Sequence, residues 1–288
     1  MGEDRSGARA ESRVRTLTNA EDQTNAEDQT GAGDQTDAGK QTGAGDRTGR
    51  AASSARVGEV KPPPGRLYGR ARGHKLRPRQ EKLLELTLPR LRVDPVDPWA
   101  SFTHRPSALW LEIGFGGGEH ALAQSAAFPA TGLIACEVFE NGICSLLSRL
   151  VPEGGEESDP LPGNLRLWHG DARVLLERLP EACLDRLFLL FPDPWPKARH
   201  AKRRFVHPAQ LPLVARVLKP GGVWRVASDD PTYQDWVRAV MGGQTLFDAP
   251  PPAETRPMGW PPTRYEAKAL RAGRAPLYWS FRRLPAAP

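Results

Sequence analysis

The run Ala108-Leu109-Trp110-Leu111-Glu112-Ile113, followed at once by Gly114-Phe115-Gly116-Gly117-Gly118, constrains this chain more than any other feature. A short apolar run that breaks into glycines and resumes as a helical pattern from about Glu119 reads as strand, tight turn and helix. That is the opening unit of a parallel α/β sheet. The pattern then recurs. Leu133–Glu137 reads as a second strand before a helix over Glu140–Leu150, and Leu165–His169 as a third before a short helix from Ala172. Leu187–Phe191 reads as a fourth strand, and Gly222–Ala227 as a fifth after the turn Lys219-Pro220-Gly221-Gly222. Leu277–Arg282 makes a late strand, antiparallel at or near one edge. Ligands of such sheets gather at the carboxyl ends of the strands.

Upstream the composition changes. Residues 1–60 hold 8 Lys/Arg against 11 Asp/Glu, whereas residues 61–288 hold 32 against 23, a net of +9 that favours anionic partners such as nucleic acid. Five hexapeptides between Asn19 and Thr48 share an x-Ala-x-x-x-Thr frame with no apolar residue larger than alanine, so they cannot build a core. Residues 1–60 are therefore expected to form a disordered tail. Residues 61–92 read as a basic linker and an N-terminal helix, and 93–288 as one catalytic-sized α/β domain. The linker opens with Pro62-Pro63-Pro64-Gly65. Its stretch Arg66–Arg79 suits either solvent or phosphates. Gln80–Leu91 has helical spacing that Pro89 should end or kink. Cys136, Cys144 and Cys183 form no CxxC pair and read as reduced, buried thiols. The six histidines show no ligand spacing with cysteines or acids, so no metal is expected. No apolar run is long enough for a bilayer and no signal-peptide core is evident, which leads to the expectation of a cytoplasmic protein without membrane contact.

The glycine turn narrows the ligand. In the nicotinamide fingerprint a third glycine falls three residues after the second, where a pyrophosphate meets a helix N-terminus. Here that position is Glu119, which would repel a pyrophosphate. The Gly114-x-Gly116-x-Gly118 spacing behind Glu112 suits a zwitterionic amino-acid tail, whose ammonium Glu112 can meet directly or through water. Glu137, at the end of the second strand, is placed to accept both hydroxyls of a ribose. Asp171 and Ala172, after the third strand, can meet an adenine edge, and Asp171 can also cap the following helix. Together these positions describe a pocket for S-adenosylmethionine.

The fourth strand runs into Phe191-Pro192-Asp193-Pro194-Trp195-Pro196-Lys197-Ala198-Arg199-His200-Ala201-Lys202-Arg203-Arg204. One carboxylate and one aromatic ring are held between prolines, and a cluster of cations follows, which suits a polyanion. Further on, Thr263-Arg264-Tyr265-Glu266 has the form of a capping box. With the glycine turn, Ala227-Ser228-Asp229 and Thr263–Ala269, this segment resembles the bacterial tRNA (guanine-N7-)-methyltransferases over about residues 66–288. The resemblance implies a Rossmann-like, class I S-adenosylmethionine-dependent methyltransferase fold. Its α/β sheet would be seven-stranded and mostly parallel, with an antiparallel strand near one edge and helices on both faces. It implies cofactor contacts at Glu112, Gly114, Gly116, Gly118, Glu137, Asp171, Ala172 and Asp193, with Asp193 catalytic. It implies substrate contacts at Lys197, Asp229, Thr263, Arg264, Tyr265 and Glu266, and tRNA contacts at Arg199, His200, Lys202, Arg203 and Arg204. The product would be N7-methylguanosine in tRNA, at a variable-loop guanosine, made by a monomer or homodimer. Pro196 and Asp230 depart from residues common in that family.

Guanine N7 carries a free in-plane lone pair and loses no proton on methylation, so alignment and charge management are the demands. Asp193 can hold the guanine through its N1 and exocyclic N–H groups, while Trp195 reads as packing more than as a stacking platform. Two other readings stay open. One is methylation of an exocyclic amine, by analogy with acidic/amide-Pro-Pro-aromatic loops. The other is a tRNA-binding protein without turnover.

Overall fold

The computed structural model describes residue 71 and residues 73–285. The expectations for the hexapeptide repeats and for most of the basic linker lie outside these residues. The strands β1 (Ala108–Ile113), β2 (Thr131–Glu137), β3 (Leu165–His169), β4 (Leu184–Leu190), β5 (Leu218–Ser228), β6 (Phe247–Asp248) and β7 (Leu277–Arg283) form one sheet in the order β3-β2-β1-β4-β5-β7-β6. The pairings from β3 to β5 are parallel, while β7 is antiparallel to both β5 and β6. This is the seven-stranded Rossmann-like arrangement expected from the sequence. β4 and β5 begin earlier than expected, and β4 stops at Leu190, because Phe191 adopts a left-handed backbone with φ +52°.

Alternation along each strand divides the core. Leu109, Leu111, Ile113, Leu187, Leu189, Trp224, Val226, Trp279 and Phe281 face one side, where α4 (Ala172–Arg178), α5 (Leu211–Val217) and α6 (Pro231–Gly242) cover them. Trp110, Leu133, Ala135, Leu165, Leu167 and Phe188 face the other, covered by α2 (Glu119–Ala127) and α3 (Glu140–Leu150). The N-terminal segment completes that second layer. It starts as α1 (Pro78–Lys82), widens into a π turn over Leu83–Thr87 and tightens into a 3-10 turn over Leu88–Leu91 that contains Pro89. Leu83 and Leu91 are fully buried. Thr87 Oγ1 donates to the Glu156 carbonyl at 2.6 Å and Arg79 pairs with the Glu156 carboxylate, pinning the segment to the loop after α3. Cys136, Cys144 and Cys183 are free and buried, and burial pushes the Cys183 thiol up to about 12.

α5 and α6 are absent from the sequence reading. α6 nonetheless starts with a readable signal, since the Asp230 carboxylate accepts from the Tyr233 N–H at 2.9 Å and Pro231 occupies the first helical position. The last helix, α7 (Arg264–Arg271), has the capping box expected at its start. Thr263 Oγ1 accepts from the Glu266 N–H, and the Glu266 carboxylate accepts from the Thr263 N–H.

The turn from β1 into α2 depends on Gly118 for two reasons. It has φ +85°, and a Cβ there would lie 2.7 Å from Leu146 Cβ of α3. A left-handed alanine and an overfilled contact together predict that Gly118→Ala destabilises the fold by about 2–4 kcal/mol. Chemical denaturation is the measurement, and a loss below about 0.5 kcal/mol would show that α2 and α3 can separate freely.

Candidate functional site

The carboxyl ends of β1, β2, β3 and β4 surround a cavity of about 400 Å³, a volume within the range that small ligands occupy. Its wall includes Gly114 and Gly116 after β1, Glu137 at the end of β2, Asp171 and Ala172 after β3, and Asp193 after β4. Lys202, Arg203, Arg204 and Tyr265 close the rim. The structure thus brings together candidates separated by more than 150 residues in the chain.

Glu137 organises the inner wall. Its Oε2 accepts from the Gly116 N–H at 2.8 Å, and its Oε1 accepts from the N–H groups of Val138 and Phe139 at 2.7 and 3.0 Å. One carboxylate therefore fixes the glycine turn against the end of β2. A carboxylate offers about four acceptor positions, so an edge remains for hydroxyl donors. Gly142 of α3 is part of the same close approach, because a Cβ there would meet the Gly116 carbonyl oxygen at 2.5 Å. Asp171 caps α4 through the Arg173 N–H, as the sequence indicated, and its carboxylate also takes the Arg173 guanidinium. Arg173 lines the cavity and was not foreseen.

Glu112 and Gly118 do not line the cavity. The Glu112 side chain leaves β1 on the face covered by α2, is 3 % exposed, and bonds to His120 Nδ1 at 2.8 Å. Its carboxylate ties the first turn of α2 to β1. Gly118 serves as the cap and packing position of α2.

The loop after β4 is strained. Phe191 and Trp195, neither a glycine, have φ +52° and +45°, and such residues cost on the order of 1–3 kcal/mol each. The Phe191 N–H is held by the Ala227 carbonyl at 2.8 Å. Arg204 secures the rest. Its Nε donates to the Pro194 carbonyl at 3.0 Å and its Nη2 to the Trp195 carbonyl at 2.9 Å, while its guanidinium lies over the Trp236 ring. Hydrogen bonds from a charged donor contribute about 1.5–3 kcal/mol each, enough to offset the strain. Arg204 is 6 % exposed, and burial lowers its pKa from the usual arginine value. Arg204 was expected to contact RNA; in the fold it is the clamp of the Asp193 loop, because the 3-10 turn over Ala198–Arg203 ends just before it and turns its side chain inward.

Asp193 is exposed at the cavity wall, and its carboxylate makes no hydrogen bond or ion pair with another described residue. Trp195 is half-buried and lines the cavity, with the Arg203 guanidinium 4.8 Å from its ring centre and His200 edge-on at 5.8 Å. Lys197, Arg199 and Lys202 are exposed beside it. Tyr265 reaches over the glycine turn, close to Gly116. Lys197, Arg199, His200, Asp229, Thr263, Arg264 and Glu266 stand outside the cavity wall. Asp229 is paired with Arg274, and Glu266 is buried, accepting from Tyr278 Oη at 2.7 Å and pairing with Arg256. Gln210 lines the cavity nine-tenths buried with an unpartnered Oε1, and no sequence signal marks it. Among the described residues no cluster of His, Cys, Asp or Glu could hold a metal ion.

Residues 106–277 match a family model described as "Putative methyltransferase". The tRNA (guanine-N(7)-)-methyltransferase of Granulibacter bethesdensis is 66% identical over 223 residues, which are 77% of this chain and 96% of that one. The enzyme of the same name from Rhodospirillum rubrum is 46% identical over 234 residues, covering 77% and 89% of the two chains. That of Paramagnetospirillum magneticum is 44% identical over 227 residues, covering 76% and 92%.

If Arg204 clamps the loop, Arg204→Ala should lower stability by about 2–4 kcal/mol, because the lost hydrogen bonds outweigh the strain that the loop can then release. Lys202→Ala, two residues away and exposed, should stay within about 0.5 kcal/mol of the parent. Thermal and denaturant unfolding of the two variants compares them directly, and equal stabilities would remove the clamp.

Proposed function

The chain belongs to the tRNA (guanine-N7-)-methyltransferase family, and on that premise we propose that it methylates N7 of a variable-loop guanosine in tRNA with Asp193 as the catalytic carboxylate. The observation that carries the role of Asp193 is the strained, clamped loop that presents this one unpartnered carboxylate at the cavity wall. Residues 93–288 then form the methyltransferase domain, with the N-terminal helical segment packed into its core.

S-adenosylmethionine, when bound, supplies an electrophilic sulfonium methyl group. The residues at the cavity fit it. The glycine turn brings backbone close without side chains, Glu137 keeps an acceptor edge that would take ribose hydroxyls, and Asp171 and Ala172, which line the cavity after β3, would meet the adenine. Glu112 supports this arrangement from beneath, through α2. Guanine N7 needs no base, since its lone pair is already in the ring plane. Asp193 instead accepts from the guanine N1 and exocyclic N–H groups and offsets the positive charge that the purine acquires. Because the loop is held before the substrate arrives, this carboxylate needs little reorganisation at the moment of reaction. Lys197, Arg199, Lys202 and Arg203 neutralise the tRNA backbone around it, while Thr263–Glu266 carries Tyr265 to the rim. Thr263 and Glu266 act through the position of α7, and Asp229 acts through its pairing with Arg274.

Undermodified tRNA incubated with labelled S-adenosylmethionine and the parent chain should yield N7-methylguanosine in the variable loop. Asp193→Ala should lower kcat by about 10²–10³-fold, and Asp193→Asn by less, because the amide keeps an acceptor. Methylation at another atom would overturn the reaction, and a fully active Asp193→Ala would remove the carboxylate from it.

A second outcome concerns pH. The pKa of His200 is lowered by desolvation and then by Arg203, Arg199, Lys197 and Lys202. Phosphates that neutralise those cations raise it again, so the bound state holds the proton more tightly. The gain is complete below the depressed pKa of the free protein and is lost as pH rises through that of the complex. At fixed ionic strength, tRNA affinity should therefore strengthen between about pH 8 and about pH 6, and His200→Asn should flatten that trend. Equal slopes for both proteins would place His200 away from the phosphates.

A further inference from the structure

The half of the sheet formed by β4, β5 and β7 is fully covered on one side, whereas on the other the cover is confined to the small cluster of Ala227, Tyr278 and Trp260 near one end. Trp224, Val226, Trp279 and Phe281 are buried beneath α5 and α6. The opposite side of the same strands carries Arg186, Phe188, Arg225, Ser280 and Arg282, of which Ser280 and Arg282 are exposed and the two central arginines half-buried. α2 and α3 end their cover at Trp110 and Phe188. Over this open area Arg186 places its guanidinium 4.2 Å from the centre of Trp110 and 5.9 Å from that of Phe188. Arg225 lies 5.7 Å from the same Phe188 ring and 4.8 Å from Trp260.

Two guanidinium groups thus share one aromatic floor. Neither makes a hydrogen bond or an ion pair with another described residue. The carboxylates on flanking elements are engaged elsewhere: Glu112 with His120, Asp185 with Lys219 and the Leu109 N–H, and Glu266 with Arg256 and Tyr278. Burial and then the like charge of Arg186 push Arg225 down to about 10, so the pair is held at a cost that an anion would relieve. Each guanidinium offers five N–H donors in a planar fork that matches a phosphate, and an aromatic face beneath leaves that fork pointing outward.

We propose that Arg186 and Arg225 form a second binding surface for the RNA phosphodiester backbone, continuous with the methylation site. This rests on tRNA being the substrate. Continuity comes from Trp260. It packs under Arg225 and against Tyr278, and four residues later the chain enters α7, whose Tyr265 lines the cavity. Arg225 stands three residues before the end of β5, on the order of 10 Å along the strand from the carboxyl edge of the sheet, the edge at which the ends of β1 to β4 surround the cavity. A strand of RNA with one guanosine in the cavity spans that distance within a few nucleotides. The net charge of +9 over residues 61–288 points the same way.

The test uses the full chain with Arg186→Gln, Arg225→Gln and the double replacement of both arginines by lysine. For each, tRNA affinity is measured against salt concentration, S-adenosylmethionine affinity by calorimetry, and kcat and KM with tRNA varied. Each glutamine should reduce the slope of log affinity against log salt by about 1 and raise KM for tRNA roughly tenfold. It should leave S-adenosylmethionine affinity unchanged and kcat at saturating tRNA within about twofold. The lysine pair should recover the slope. An unchanged slope and KM would overturn the proposal. So would loss of S-adenosylmethionine affinity and thermal stability in the glutamine variants, which would make the arginines structural. A dimer that dissociates on substitution, seen by light scattering, would assign the face to a second copy and overturn it as well. A parent chain that forms no N7-methylguanosine would sink the function itself, whereas methylation by the parent with an unchanged slope in the variants sinks only this surface.

Discussion

Three backbone N–H groups from two separate turns converge on the Glu137 carboxylate, and the geometry of the whole cavity follows from that knot. Parallel strands deliver their ends to one edge of the sheet, but the connections that leave them have no common reason to stay together. Glu137 supplies one, since it joins the glycine turn after β1 to the start of the path into α3. Gly142 then permits α3 to approach the Gly116 carbonyl more closely than any side chain would allow. The result is a wall of backbone groups and one acceptor edge, suited to a ligand that is recognised by close approach. On the far side of the cavity Arg204 does the corresponding work with a cation, binding two carbonyls where Glu137 binds three amides.

The sheet was legible because its strands are short apolar runs separated by glycine turns and helix caps, and each such run formed the strand expected. The capping roles of Asp171 and Thr263 were legible for the same reason, since a cap is decided within three residues. Arg204 was not. Six cations fall in the eight residues from Lys197 to Arg204, if His200 is counted, and nothing local distinguishes the last of them. Only the end of the 3-10 turn, combined with two strained carbonyls in need of a donor, turns it inward. Glu112 poses a related difficulty. Alternation assigns a strand residue to one face, but β1 is apolar on both, so the sequence alone could not say whether Glu112 points to the cavity or to α2. Asp230 shows the opposite case. Its departure from a residue common in the family has a plain local cause, the cap of α6, and the Asp-Pro pair would have revealed that helix.

The distribution of charge separates scaffold from chemistry. Of the acids at the cavity, Glu137 is held by amides and Asp171 by the cap of α4 and by Arg173. Both are committed before a ligand arrives, so they define shape and polarity and have little left to give to a reaction. Asp193 is set apart because no described residue neutralises it, although cations follow it closely in sequence. Two features keep it so. Arg204 is spent on the carbonyls of the loop itself, and Arg203 lies on the face of Trp195. The cations that would otherwise quench the carboxylate are thereby turned into its support. An unneutralised acid in a fixed loop is a field aimed at whatever positive charge develops beside it, and N7 alkylation of a purine develops such a charge. On the role proposed for Asp193, the strain at Phe191 and Trp195 is the cost of holding that field in place, with the hydrogen bonds of Arg204 as its offset.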